Sequence, residues 1–392
     1  MTRHFRKFLA VAFFVSAFFI VGLLPVLAHA SEEPGMAIED LPPAPSGIAL
    51  EQGVNFYRAK VLAILSEGKK PIDGVPMDYQ EVRLEILNGD EQGKTVVVDH
   101  GGPFAIEEYQ RVRVGETVIL AKPTSSLKPD FYYITDKYRT PRMVWVIVFF
   151  VALAVFFGRK RGVTSLLGML FSVAIIFLFI IPRILAGGDP FLISLVGSLV
   201  ILVISLYLSH GFNRRTSIAL LSTLAALGLA AILDLAFVFL TRLHGIGTEE
   251  AFYLQFGSVN LNLRGLLLGG IIIGVLGVLD DVTTTQVATV EEIHTANTAL
   301  SFQKLFQKGL SVGREHIASL VNTLVLAYVG ASFPLLLLAT TQKAQPAWLI
   351  FNSNFIGEEI VRTLVGSSAL ILAVPISTIF AAYFYGQRGR GY

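Results

Sequence analysis

The sequence predicts an α-helical polytopic membrane protein of about seven spans. It also predicts a small exported all-β domain, OB-like or SH3-like, behind an N-terminal signal or anchor. Three observations carry this. Hydrophobic residues make up 53% of the chain and charged residues 15%, which is too apolar for a soluble protein and too regularly segmented for one large core. From Pro141 onward, apolar runs near the ~20 residues needed to cross a bilayer alternate with short polar connectors. Ahead of them lies a stretch of different character, rich in β-branched residues and turn residues.

Arg3, Arg6 and Lys7 precede the apolar run Phe8 to Leu27, and Ala28-His29-Ala30 follows before Ser31. Residues 1–30 therefore have the layout of an export signal with an A-x-A cleavage pattern, while the length of the run also suits an uncleaved anchor. Either delivers the next segment outside. Residues 31–54 are Pro-rich and acidic and read as a linker. In 55–140 the runs Asn55 to Leu65, Gln80 to Leu87, Lys94 to Asp99, Glu116 to Lys122 and Phe131 to Thr135 read as strands. Turn chemistry such as Asn88-Gly89-Asp90 and His100-Gly101-Gly102-Pro103 separates them, as in a small antiparallel barrel or sandwich.

Seven spans are expected in 141–392, at 142–157, 163–182, 190–209, 217–241, 264–280, 319–340 and 359–385. Basic residues orient them. Arg159, Lys160, Arg161, Arg214, Arg215, Lys304, Lys308, Arg314, Arg388 and Arg390 mark one side, ten in all. Arg183, Arg242, Arg264, Lys343 and Arg362 mark the other, five by the same count. The richer side is expected in the cytoplasm, with the C-terminus, and the β domain opposite. In the segment 294–316, Phe302, Leu305, Phe306 and Leu310 recur at helical spacing with Lys304 and Lys308 on the other side. This suits either a helix in the headgroup plane or one packed on the bundle.

The join GVLDDVTTTQVATVEEI, Gly277 to Ile293, takes an apolar run into acidic and hydroxylated residues with no Gly or Pro to stop a helix. On a continuous helix Asp281, Thr285, Ala288 and Glu292 form one stripe, and Asp280, Thr284, Glu291 and His294 its neighbour. Asp281 and Glu292 lie about 16 Å apart along the axis, too far to share one ion, so the stripe is better suited to lining a path. The plainer readings are a solvated cytoplasmic helix and a docking surface for a partner. Asp234, deep in the fourth span, needs pairing or water if ionised. Asn322 and Tyr328 differ by about 120° around the sixth span, so only one of them faces a shared cavity. Pro334 and Pro375 free backbone carbonyls and invite kinks. Gly265, Gly269, Gly270, Gly274 and Gly277 form GxxxG patterns that predict close approach of a neighbouring helix. Glu358, Glu359 and Arg362 read as an interfacial cluster at the start of the last span.

The stretches LLLGGIIIGVLGVLDDVTTTQVATVEEI and VGREHIASLVNTLVLAYVGASFPLLLL resemble the YibE/F family of bacterial multi-pass membrane proteins. There a Gly-rich span runs into a Gly-x-x-x-Asp motif and a hydroxyl-rich helix that ends on an acidic residue. Gly277, Asp281, Thr283 to Thr285 and Glu292 match this motif, and Asn322 to Tyr328 match an Asn-Thr-Leu-x-Leu-Ala-Tyr pattern in a second span. The resemblance implies the whole architecture and, as a common suggestion for the family, transport.

No Walker loop, HExxH, GxSxG or dinucleotide fingerprint occurs, and there are no cysteines for thiol chemistry. Glu291, Glu292 and His294 lack a fourth metal ligand, and an aspartyl protease would need Asp234 and Asp281, which the topology sets toward opposite faces. No enzyme activity, cofactor or metal is expected, and a net charge of +2 without a basic stripe points away from nucleic acid. Two readings follow. One is a secondary transporter or permease for a small solute or ion, with Asp234, Asp280, Asp281, Thr284, Thr285, Glu291, Glu292, Asn322 and Tyr328 as pathway or coupling candidates. The other is a membrane scaffold or envelope-associated factor that binds a protein partner through its exported β domain.

Overall fold

A computed structural model describes residues 54–72, 75–101, 106–123, 131–256, 261–341 and 346–386. The expected signal or anchor, the linker up to residue 53, Lys343, Arg388 and Arg390 lie outside the described residues. The chain divides into two compact units, one ending at Ala152 and one beginning at Leu153.

The first unit holds five strands, β1 (Val54–Ile72), β2 (Val75–Ile86), β3 (Thr95–His100), β4 (Thr117–Pro123) and β5 (Tyr133–Lys137). They form one antiparallel sheet in the order β3-β2-β1-β4-β5, whose two edge strands β3 and β5 approach each other. Every expected strand is present, and alternation builds the core: Val96 and Val98 are buried while Thr95, Val97 and Asp99 are exposed. Gly89 takes φ +82 in the turn after β2, where a Cβ would stand 2.9 Å from the Tyr57 ring. The neighbouring Asp90 accepts a hydrogen bond from the Tyr57 hydroxyl at 2.9 Å. Gln80 is buried and acts as a partner for chain outside the sheet, since its amide pairs with the N–H and carbonyl of Val112 at 2.8 and 3.2 Å.

The second unit is helical. Helix α1 (Thr140–Ile175) begins in the first unit and continues through a π-helical turn, Ile176–Ile180, into α2 (Ile181–Leu185). There follow α3 (Pro190–His210), α4 (Arg214–Leu240), α5 (Glu249–Gln255), α6 (Leu263–Ala296), α7 (Phe302–Ala331), α8 (Phe333–Thr341), α9 (Ala347–Phe351) and α10 (Asn354–Gly386). Side-chain caps set several starts: Asp189, Asn213 and Asn262 accept the N–H of Leu192, Thr216 and Gly265 at 2.8, 2.8 and 2.9 Å. Helices α4, α6 and α10 pack mutually at the centre, with α3 against α6 and α7 against α10.

Among the described residues five helices are long and apolar enough to cross a membrane, or six if α7 and α8 form one broken span. The difference from seven lies in α1. A 46-residue element, Thr140–Leu185, covers the first two expected spans, and Arg159 interrupts it with φ 50 and ψ −132. The break is sharp, because a Cβ on Gly162 would run into the carbonyl oxygen of Ala154, which on a straight helix would be about 12 Å away.

Packing decides one alternative. Leu305, Gly309 and Gly313 are buried while Lys304 and Lys308 are exposed, so the 302–316 segment is the first half of α7, laid on the bundle and continuous with the helix expected as the sixth span. Helix α6 is continuous through the acidic join, as expected. It continues to Ala296, with Val282, Val287 and Val290 buried.

Candidate functional site

Polar side chains gather at two levels of the α4, α6 and α10 bundle. The first lies toward the end formed by the C-terminus of α4 and the N-termini of α6 and α10. Glu358 is buried and accepts the N–H of Gly247 at 2.9 Å. That loop can approach only because residue 247 is glycine, as a Cβ there would stand 2.5 Å from the Glu358 carboxyl carbon. Glu359 accepts from the Arg362 guanidinium at 2.5 Å on one oxygen and from the Ser332 hydroxyl at 2.9 Å on the other. Ser332 is the residue at which α7 gives way to α8 with a 65° bend, two residues before the proline expected to kink this span. Tyr328, one turn earlier, places its hydroxyl 3.3 Å from where a Cβ on Gly366 would be. Asp234 of α4 is wholly buried, and neither of its carboxylate oxygens has a hydrogen-bond partner among the described residues.

The second level lies near the other end. Thr223 of α4 and Thr283 of α6 share a hydrogen bond at 2.5 Å. The Thr284 hydroxyl donates to the Asp280 carbonyl at 2.8 Å, while Asp280 Oδ1 is buried without a partner among the described residues. Gln286 donates to the Gly309 carbonyl at 2.9 Å and to the Thr378 hydroxyl at 2.7 Å, joining α6 to α7 and α10. Glu291 pairs with Arg215 at 3.8 Å. The Arg214 guanidinium donates to the Phe384 carbonyl and lies 5.0 Å from the Tyr385 ring centre.

The structure thus places the expected residues in three groups. Asp280, Thr284 and Glu291 stand at the second level. Asp234 and Tyr328 belong to the first, where Tyr328 faces α10 while Asn322 is exposed. Asp281, Thr285 and Glu292 share one exposed face of α6. That face continues upward through Gly270, Gly274 and Gly277, none of which has a described atom within 4 Å of a built Cβ. The two GxxxG patterns therefore differ. Gly265 and Gly269 receive α3, with Pro190 atoms 3.1 and 3.0 Å from their built Cβ positions, whereas Gly270 and Gly274 receive no neighbour among the described residues. Asp234 and Asp281 do not meet: measured from the Thr223–Thr283 contact, they are roughly 13 Å apart along the bundle.

Sequence reasoning missed Gln286 and Thr378, whose partnership spans 92 residues, and treated Glu359 and Arg362 as an interfacial cluster rather than a clasp on the α7 to α8 break. A lone Gln inside a buried helical face was the available signal for the first.

No curated protein and no solved structure matches the chain. The family model for YibE/F-like proteins matches residues 146–387, which takes in the whole bundle with both polar levels, and the chain belongs to the YibE/F family.

Proposed function

We propose that the protein is a secondary transporter or permease for a small solute or ion, with the open face of α6 as one wall of its path. The observation that carries this is the line Gly270, Gly274, Gly277, Asp281, Thr285 on the bundle's central helix, uncovered by any described residue. A lipid-facing helix surface is ordinarily apolar, and ionisable groups in spans face protein or water. Three missing side chains cut a groove, and its floor becomes acidic and hydroxylated. The broken α7–α8 pair supports the reading, since discontinuous helices recur at transporter sites.

The topology we propose has seven crossings. An unbroken element of 46 residues would measure about 69 Å against a ~30 Å core, so the Arg159 break is read as a turn between two crossings. Arg214, Arg215, Lys304 and Lys308 then gather at one end and Arg242, Arg264 and Arg362 at the other, which puts the first end in the cytoplasm and the β domain outside. In that domain the order β3-β2-β1-β4-β5 with β3 near β5 favours the OB-like alternative over the SH3-like one.

Flux in proteoliposomes tests the reading: the intact protein should dissipate at least one solute, ion or proton gradient, and Asp281→Asn at matched insertion should abolish this. Failure of the intact protein across cations, anions and a pH gradient removes it. The scaffold alternative has its own observation, a cavity of about 600 Å3 in the β domain, lined by Asp99, His100, Tyr109, Asp136, Lys137 and Arg139 among others. Crosslinking through introduced residues there is its test.

A further inference from the structure

Two short helices sit at the end of the bundle where α4 finishes and α6 and α10 begin. Helix α5 lies in the connector from α4 to α6, and α9 immediately precedes α10. Arg264 donates to the Leu243 carbonyl at 3.0 Å and the Gly247 N–H to Glu358 at 2.9 Å, which ties that connector to the starts of α6 and α10. Both short helices turn aromatic rings away from the protein. On α5 only Ala251 is buried, and Phe252, Tyr253 and Phe256 lie on the opposite side, with the Phe252 and Phe256 ring centres 5.0 Å apart. On α9 no residue is buried, and Trp348 and Phe351 are 69% and 62% exposed. The adjoining helix ends continue the pattern, through exposed Phe239 in the last turn of α4 and exposed Phe355 in the first turn of α10. Polar groups are interleaved: Glu249 and Glu250 open α5, and the Tyr253 hydroxyl donates to Glu249 at 3.0 Å.

We propose that α5 and α9 lie in the headgroup–acyl boundary of the bilayer and, with Phe239 and Phe355, form an aromatic collar that fixes the depth at which α10 enters. Connectivity names lipid as the partner. Helices α4, α6 and α10 are each long and apolar enough to cross a membrane, so chain that joins their ends stands at its surface. Phe351 is held within about 11 Å of Asn354 by the reach of the intervening backbone. Large rings beside carboxylates suit neither bulk water nor the acyl core, but they match the boundary, where rings pack on upper acyl chains and polar tips reach water. A helix placed there sinks its apolar face about 5–10 Å below the headgroups. The proposal rests on α4, α6 and α10 being crossings and goes beyond transport, since it holds whichever solute moves.

The sequence has two tryptophans, Trp145 and Trp348, so Trp145→Phe leaves a single reporter on α9. Replacing both by Phe and adding Phe256→Trp moves the reporter to α5, and adding Leu364→Trp instead moves it to an exposed site on α10, about 15 Å along the helix from Asn354. In the full chain in phosphatidylcholine liposomes, Trp348 and the α5 reporter should lose most emission to lipid brominated near the ester carbonyls and little to aqueous iodide. The Leu364 reporter should lose most to lipid brominated near the chain ends. Adding Phe351→Ser to the variant that carries Leu364→Trp and replacing Trp348 by Ser should shift that reporter's preferred bromine depth. Should Phe256→Trp fail to insert, a spin label on Phe252→Cys in this cysteine-free chain gives the depth of α5. Strong iodide quenching of Trp348 overturns the collar, because α9 then stands in water. Quenching by neither agent also overturns it, because a second copy or other protein then covers the rings. An unmoved Leu364 profile overturns the depth-setting role. Loss of all bromolipid quenching at Leu364 shows instead that α10 does not cross, which separates failure of the topology from failure of the collar.

Discussion

Thr223 on α4 and Thr283 on α6 face each other with hydroxyl oxygens 2.5 Å apart in the wholly buried centre of the bundle. Each hydroxyl also reaches a carbonyl of its own helix, Ala219 at 2.9 Å and Asp280 at 3.2 Å. One hydroxyl can donate across while the other donates to its own backbone, so no donor is left unpaired. Thr283→Val keeps the shape and removes the bond. Equilibrium unfolding in mixed micelles should show a loss of about 0.5–1.5 kcal/mol, and a double-mutant cycle with Thr223→Val a coupling of about 0.6 kcal/mol. Additivity would show that the pair does not interact.

Gln286 ties three helices, and Gly313 lets it do so, because a Cβ there would stand 3.0 Å from the Gln286 amide and closer still to Val374. Gln286→Leu leaves the Gly309 carbonyl and the Thr378 hydroxyl without this donor and should destabilise by about 1–3 kcal/mol. Gly313→Leu should be worse, with α7 displaced from α10. Protease accessibility of the 297–301 connector would report that displacement.

The β domain contains a pH-sensitive clasp. Glu91 accepts hydrogen bonds from Lys122, Tyr132 and Lys94, and the Lys122 and Tyr132 bonds, the largest influences, hold its carboxyl at about 2, down from about 4.5. A carboxylate whose folded value is depressed stabilises above its unfolded value and loses that contribution as pH falls through the folded one. The stabilisation should therefore be complete above about pH 5 and fade toward pH 2. Glu91→Gln should lower the unfolding midpoint at pH 7 and flatten its dependence between pH 5 and 2, and a variant as acid-sensitive as the parent would refute the assignment.

Gly274 and Gly269 should respond oppositely to the same substitution. Gly274→Leu meets no described atom and gains helix propensity worth about 0.8 kcal/mol or more, so insertion and thermal stability should hold or improve while flux falls at least tenfold by obstruction. Gly269→Leu meets Pro190 and Ser194 and should destabilise. Undiminished flux in a well-inserted Gly274→Leu protein would exclude the groove as the path.

Much of the fold was legible because its causes are local. Alternation marked all five strands, Asn88-Gly89 supplied the φ +82 turn, and Pro334 announced the break at Ser332. What could not be read depends on partners distant in sequence. Gly265-x-x-x-Gly269 and Gly270-x-x-x-Gly274 carry the same signal, and only the course of α3 separates the glycine that is covered from the one that is bare. Leu305 follows the same periodicity whether a helix lies on lipid or on protein, so its burial had to come from the structure. The clasp from Glu359 to Ser332 spans 27 residues and joins a residue expected at an interface to one expected only as part of a kink.

Helix α6 has 34 residues and is about 51 Å long, whereas a hydrocarbon core of ~30 Å takes only about 20 of them. If α6 enters the bilayer at Leu263, as the proposed topology has it, that length runs out close to Asp281. A bilayer thicker by about one helical turn, ~5 Å, would draw this carboxylate from the headgroups into acyl chains, and a thinner one would release it. On the proposed topology, lipid chain length would thus become a control on the exposure of Asp281, acting on the protein without any change in its sequence.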